Sequence, residues 1–176
     1  PAAALKIVPG GQAAASPPTA AEPAPVAAPA PKKKDTPERL RPKGVAVSAS
    51  VEPAEVAPGG EATYRVTFKL NPGLHVYDLE KPGAPADGPI PTSFDVFDAA
   101  GVELGDEWTA SIEPTVKPEP AFGDNVVVAF FEDEVSWSVP VRIPADAAPG
   151  DRRIQTQVRY QICNENACFP PTYQTL

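Results

Sequence analysis

The chain has 176 residues, with 15 Lys and Arg against 23 Asp and Glu, 25 prolines, 12 glycines and two cysteines. This length fits one domain with an accessory segment, and the proline and glycine content excludes a bundle of long helices. Residues 1–44 carry seven basic and three acidic side chains, whereas residues 45–176 carry eight basic and twenty acidic ones. Because so acidic a body repels phosphate, we expect no nucleic-acid partner.

The first 44 residues differ in composition from the rest of the chain. Ten of the first 42 residues are proline, and many of the others are alanine. Proline fixes φ and removes the backbone donor that a helix or a sheet requires. We therefore predict a Pro/Ala-rich disordered tether over residues 1–44, extended and without a core, followed by one folded domain over residues 45–176.

Short runs of alternating apolar and polar residues begin at Val45 and are separated by Pro, Gly and Asp. In one of them Tyr64, Val66 and Phe68 share a face, as a sheet with one buried side requires. About eight such strands in this length are typical of an all-β, immunoglobulin-like antiparallel β-sandwich. The predicted strands are 45–51, 61–70, 74–79, 92–97, 126–131, 135–143, 153–163 and 168–176.

The two cysteines lie near the C-terminus and are separated by the four residues 164–167. This spacing predicts a hairpin in which Cys163 and Cys168 face each other at a separation that a disulfide can span. Alternation from Arg159 and Gln161 places Cys163 on the polar face, so we expect the sulfurs to point outward. A loop of about six residues contributes only ~2 kcal/mol to stability, which makes the bond a weak staple. The residues alone leave both a redox-active pair and an inert staple open.

Other chemistry of the cysteines has less support in the sequence. A zinc site needs four ligands, and the chain offers two thiols and one histidine, His75, far away in sequence. A Cys-His hydrolase also needs an orienting group and an oxyanion hole, and no local motif indicates one. We expect no metal and no cofactor, and we predict a structural or loop-facing role for His75.

Four motifs in order resemble a known family. They are Gly-Leu-His-Val-Tyr at 73–77, Gly-Pro-Ile-Pro-Thr at 88–92, a Phe-Gly turn at 122–123 before a strand, and Tyr-x-x-Cys-x4-Cys-x-Pro-Pro over 160–171. Together they resemble the N-terminal periplasmic domain of the thiol:disulfide interchange protein DsbD. The resemblance covers Val45 to the C-terminus and implies an immunoglobulin-like fold.

The resemblance also implies a function. A domain of this family passes electrons from a membrane-embedded partner domain to thioredoxin-fold proteins outside the cytoplasm, as a protein-disulfide reductase linked to cytochrome c biogenesis. It implies a periplasmic location as part of an inner-membrane protein, without a cofactor or a small-molecule substrate. By the match of motifs, Cys168 is the attacking thiol and Cys163 the resolving thiol. The alternative is a non-catalytic binding or adhesion module of an exported protein, with an inert hairpin disulfide.

The resemblance further implies a cap loop that shields the cysteines. By the Phe-Gly match this loop is 118–124, with Phe122 as the shield between Ala121 and Gly123. The alternative for Phe122 is simple core packing beside a turn. Tyr77 matches a family position at the rim of the active site.

Overall fold

The computed structural model describes residues 3–9, 33–79, 88–119, 122 and 126–176. The regular secondary structure of these residues is almost entirely β, with a short 3-10 turn at Glu38–Leu40. In chain order the strands are β1 Ala3–Ile7, β2 Val45–Glu52, β3 Glu55–Val56, β4 Glu61–Leu70, β5 His75–Tyr77, β6 Ser93–Asp98, β7 Glu103–Leu104, β8 Thr109–Ala110, β9 Thr115–Pro118, β10 Val127–Glu132, β11 Glu134–Arg142, β12 Gly150–Tyr160, β13 Ile162–Cys163 and β14 Thr172–Thr175. No helix in these ranges is long and apolar enough to cross a membrane.

Two sheets enclose the main core. The first has the order β2-β4-β11, with β7 and β8 paired to β11, and the second has the order β14-β12-β1-β3, with β6 also paired to β12. The rings of Phe68 on β4 and Tyr160 on β12 lie 5.1 Å apart at right angles. The Tyr64 hydroxyl donates a buried hydrogen bond of 2.9 Å to Oγ1 of Thr156. Since each ring or hydroxyl comes from a different sheet, these contacts join the two layers of a sandwich.

The alternation predicted for the long strands is found in the structure. On β4, Tyr64, Val66 and Phe68 are fully buried, and on β11 the ring of Trp137 packs edge-on against Phe68 at 5.4 Å. Burying a side chain of this size contributes about 1.5–3 kcal/mol, so these alternating faces supply much of the stability of the sandwich. The predicted all-β, immunoglobulin-like sandwich is confirmed.

A third sheet has the order β13-β5-β10-β9, with all its pairs antiparallel. Its strand β5 pairs with β13 on one side and with β10 on the other. Val76, at the centre of β5, is fully buried and belongs to the main core. The opposite face of this sheet carries a second apolar cluster, which contains Tyr77, Val126, Val128, Phe130 and Cys163. The third sheet therefore connects the sandwich to the cysteines.

Strand β1 differs from the prediction for residues 1–44. It pairs antiparallel with β12 through five residues and parallel with β3 through two. Ala3, Leu5 and Ile7 are at most 2% exposed and belong to the main core. These three residues alternate with period two, but the run is short and lies in a Pro/Ala-rich segment, so its partner strand decides its conformation. Residues 10–32 lie outside the described residues, and the division at residue 44 stays a prediction.

We predict that β1 contributes measurably to stability. Leu5→Ala should lower the free energy of unfolding by about 2–5 kcal/mol, because it leaves a cavity where the side chain is 1% exposed. Leu40→Ala is the matched control, since Leu40 is 63% exposed and its truncation should cost less than about 0.5 kcal/mol. Chemical denaturation of both variants measures the difference. Equal stabilities would mean that β1 does not dock in solution.

Candidate functional site

The two cysteines form a disulfide across a tight hairpin. Cys163 and Cys168 occupy an antiparallel bridge, with their Cα atoms 4.0 Å apart. In the turn, Oδ1 of Asn164 accepts hydrogen bonds of 2.9 Å from the backbone N–H groups of Asn166 and Ala167. The Asn164 N–H donates in turn to the carbonyl of Ala167 at 2.9 Å. An asparagine at the first turn position favours this geometry, because its side chain satisfies donors that the chain leaves free.

Further hydrogen bonds fix the open end of the hairpin. The N–H of Phe169 donates to the carbonyl of Ile162 at 2.8 Å, next to the disulfide. The Gln161 side chain donates from Nε2 to the Phe169 carbonyl at 3.1 Å, and its Oε1 accepts from the N–H of Ile90 at 3.0 Å. Gln161 therefore links both arms of the hairpin to the segment that precedes β6.

The two ends of the disulfide differ in exposure. Cys163 is 1% exposed, whereas Cys168 is exposed. The prediction that both sulfurs point outward is wrong for Cys163. Ile162 faces the main core and Cys163 faces the opposite side, as alternation requires, but the second apolar cluster covers that side. Of the two cysteines, only Cys168 is therefore accessible from solvent.

A cleft of about 360 Å³ opens beside the disulfide. Its described lining includes His75, Tyr77, Lys117, Phe122 and both cysteines. Glu119 and Glu165 also line it, so the cleft carries charges of both signs around an apolar floor. Such a concave surface next to an exposed sulfur can receive a side chain or a loop of another protein.

Tyr77 and His75 lie on the cleft face of β5. The Tyr77 hydroxyl is 4.0 Å from Sγ of Cys168 and 3.4 Å from Nε2 of His75. Burial, with a smaller effect from Glu119, raises the pKa of Tyr77 to about 12, so its hydroxyl keeps its proton at neutral pH. Burial, and to a smaller extent the nearby Lys117 ammonium, lowers the pKa of His75, so its imidazole is neutral at neutral pH.

The structure brings most of the predicted site residues together. Tyr77 contacts Cys168, and Phe122 packs on the cluster around Cys163, with its N–H donating to the Glu119 carbonyl at 3.0 Å. Ala121 and Gly123 lie outside the described residues. The cap role of Phe122 and the rim role of Tyr77 stay predictions.

The sequence prediction missed three cleft residues. His75 was expected to be a structural or loop-facing side chain, yet it lies two residues before Tyr77 and therefore on the same face of the strand, beside the cleft. Lys117 places its ammonium 4.9 Å from the ring centre of Phe130, which no local motif indicates. Asn164, as the first residue of a four-residue turn, could have been found from turn preferences alone. The described ranges contain no cluster of three or more His, Cys, Asp or Glu side chains that could hold a metal ion.

The fold and the site define a β-sandwich domain with a half-exposed disulfide in a cleft, as in domains that exchange thiols and disulfides. The family described as "Thiol:disulfide interchange protein DsbD, N-terminal" matches residues 45–176, and the chain belongs to this family. It is therefore a thiol:disulfide interchange domain.

Two solved structures are similar to the chain at low identity. The N-terminal domain of DsbD from Neisseria meningitidis, in the reduced form, is 16% identical with a TM-score of 0.41, over 64% of this chain and 73% of that one. The N-terminal periplasmic domain of ScsB from Proteus mirabilis is 12% identical with a TM-score of 0.44, over 77% of this chain and 47% of that one. No curated protein matches the chain.

We predict that Phe122 slows access to the disulfide. Phe122→Ala should accelerate reduction of the disulfide by a small monothiol roughly tenfold, the factor that a lost covering contact of about 1.4 kcal/mol produces. Phe97→Ala is the control, because Phe97 is also half-buried but lies on β6, where it contacts Lys33 rather than the cleft. Stopped-flow measurement of thiol consumption gives both rates. An unchanged rate for Phe122→Ala would assign the ring to packing alone.

Proposed function

We propose that the domain relays electrons by dithiol–disulfide exchange between Cys163–Cys168 and partner proteins. It receives them from a membrane-embedded partner domain and passes them to thioredoxin-fold proteins outside the cytoplasm. In this function it acts as a protein-disulfide reductase in the periplasm, within an inner-membrane protein. Membership of the family supports the type of exchange. The observation that carries the proposal is the difference in exposure between Cys168 and Cys163 on one hairpin.

The exposed thiol performs the first step. In the reduced domain the Cys168 thiolate attacks one sulfur of the partner disulfide, forms a mixed disulfide and releases the other partner sulfur as a thiolate. The Cys163 thiolate then attacks Sγ of Cys168, which forms the intramolecular disulfide and releases the second partner thiolate. Two electrons pass to the partner, and the two protons of the dithiol go to the partner thiolates or to solvent. No cofactor takes part in either step.

The buried position of Cys163 suits the second step. A partner sulfur bound to Cys168 fills the mouth of the cleft, while Cys163 stays within bonding reach across the hairpin. Because the attack is intramolecular, its effective concentration is high and the mixed disulfide is short-lived. A partner cysteine with a low pKa is the better leaving group, which favours thioredoxin-fold acceptors over ordinary disulfides.

The first prediction of this proposal concerns the reduction potential of the Cys163–Cys168 pair. We expect a value near about −200 to −270 mV, the range of thioredoxin-like exchangers. Equilibration of the purified chain with defined ratios of reduced and oxidised dithiothreitol, followed by alkylation and mass determination, measures it. A value well below about −300 mV would instead indicate a structural disulfide and favour a binding or adhesion module.

The second prediction separates the roles of the two cysteines. Cys163→Ala should accumulate a covalent complex with oxidised thioredoxin through Cys168, because the resolving thiol is missing. Cys168→Ala should form no such complex, and its reduction of thioredoxin should fall to the background rate. Non-reducing gels and an insulin turbidity assay read out the two effects. A complex trapped by Cys168→Ala, and not by Cys163→Ala, would reverse the assignment.

A further inference from the structure

The side chains of His75 and Tyr77 form a line of polar groups that ends at the sulfur of Cys168. Nε2 of His75 is 3.4 Å from the Tyr77 hydroxyl, and that hydroxyl is 4.0 Å from Sγ of Cys168. Both distances are at the long end for hydrogen bonds, as is common in sites before a partner docks. His75 is the single histidine of the chain.

Packing holds both rings in this line. Tyr77 is 5% exposed, and its carbonyl accepts a 2.6 Å hydrogen bond from the hydroxyl of Thr92. The His75 ring lies 5.3 Å from the Tyr77 ring, edge to face, and 4.9 Å from the ring of Phe130. The backbone of His75 pairs with Cys163 on one neighbouring strand and with Glu132 on the other. The line is therefore set by the sheet and the second apolar cluster, not by a mobile side chain.

We propose that His75, acting through the Tyr77 hydroxyl, accepts the proton of the Cys168 thiol when the reduced domain attacks a partner disulfide. This inference rests on the proposed exchange function and names the group that activates its first thiol. Tyr77 touches the reacting sulfur, whereas His75 is a positioning residue that acts through Tyr77.

The proton transfer balances as follows. The S–H bond of Cys168 breaks and its proton passes to the Tyr77 oxygen, while the Tyr77 O–H proton passes to Nε2 of His75. The Cys168 thiolate forms the bond to the partner sulfur with its electron pair, and the partner S–S pair leaves with the second sulfur. The imidazolium of His75 then returns its proton, through Tyr77, to solvent or to the departing partner thiolate. Tyr77 ends with the hydroxyl it had at the start.

The charges around the line are compatible with this direction of transfer. Burial has the largest effect on His75 and disfavours its imidazolium, and Lys117 from β9 adds to this effect, whereas Glu132 from β10 and Glu119 favour the imidazolium. The net effect lowers the pKa of His75, so its imidazole is neutral near pH 7. The relay uses the tautomer with the proton on Nδ1, which leaves Nε2 as the acceptor that faces the Tyr77 hydroxyl. Glu165 in the hairpin turn and Lys117 both line the cleft, and their charges have opposite effects on a nearby thiolate. A thiol that stays protonated until it reacts needs an acceptor at the moment of attack.

The test measures the rate at which iodoacetamide alkylates Cys168, as a function of pH, in the reduced chain carrying Cys163→Ala. His75→Phe and Tyr77→Phe each keep an aromatic ring at the position and remove the imidazole nitrogens or the hydroxyl. Each should slow alkylation at pH 7 about tenfold or more and move the midpoint of the pH profile upward, because each removes one of the two groups that take the thiol proton. Tyr173→Phe, the same change on β14 and outside the cleft lining, should leave the profile unchanged.

The double variant tests whether the two groups act in series. His75→Phe with Tyr77→Phe should be no slower than Tyr77→Phe alone, because one pathway is removed in each case. Additive effects, or a normal pH profile for His75→Phe, would overturn the relay.

If a variant fails to fold, a titration of the unmodified chain still tests the relay. The NMR chemical shift of its single imidazole, followed as a function of pH, should show a second inflection at the alkylation midpoint in the reduced chain and not in the oxidised one. A reduced chain without that inflection would overturn the relay.

Failure of the relay and failure of the exchange function give different results. If the unmodified chain reduces thioredoxin and both ring variants keep the normal pH profile, the relay is wrong and the exchange function stands. If the unmodified chain in its reduced form transfers no electrons to oxidised thioredoxin, the exchange function itself is wrong.

Discussion

The geometry of the disulfide depends on the pairing of the three-residue strand β5 with β13 on one side and β10 on the other. Val76, at its centre, is fully buried in the main core, which holds the strand in register. His75 and Tyr77 then face the cleft, and His75 lies opposite Cys163. A slip by one residue would turn Val76 into the cleft and Tyr77 toward the core. The sandwich core therefore fixes which side chains surround the sulfurs.

The same pairing explains why the two cysteines differ. Cys163 lies within the third sheet, so the apolar cluster on that face covers it. Cys168 follows the turn and pairs with Cys163 only through an isolated bridge, which leaves it exposed. A disulfide with one covered and one open sulfur directs an incoming thiolate to a single atom. Attack at a single sulfur gives one mixed disulfide, whereas attack on either sulfur would give two with different fates.

Much of the fold could be predicted from the sequence, because long strands repeat their alternation. The ladder between β4 and β11 joins nine residue pairs, and its apolar face was visible in the sequence. Strands β3, β7 and β8 have two residues each, too few to show a period, and only their neighbours define them. Alternation predicted correctly that Cys163 lies opposite Ile162, but it could not predict that Phe130 and Tyr77 cover that face. Which surface lies over a residue is a tertiary property, and no periodicity encodes it.

The hydrogen bonds of the hairpin allow the cysteines to change state without unfolding. Asn164 holds the turn through three hydrogen bonds, and Phe169 pairs with Ile162 beside the disulfide, so none of these contacts uses a sulfur atom. A bond that closes about six residues contributes only ~2 kcal/mol, which is small beside the buried faces of the sandwich. Reduction should therefore leave the turn and the cleft in place, with the two thiols still adjacent. With a frame shared by both redox states, closing the disulfide would require little reorganisation, and the energy of exchange would depend on the sulfurs and their partner rather than on refolding.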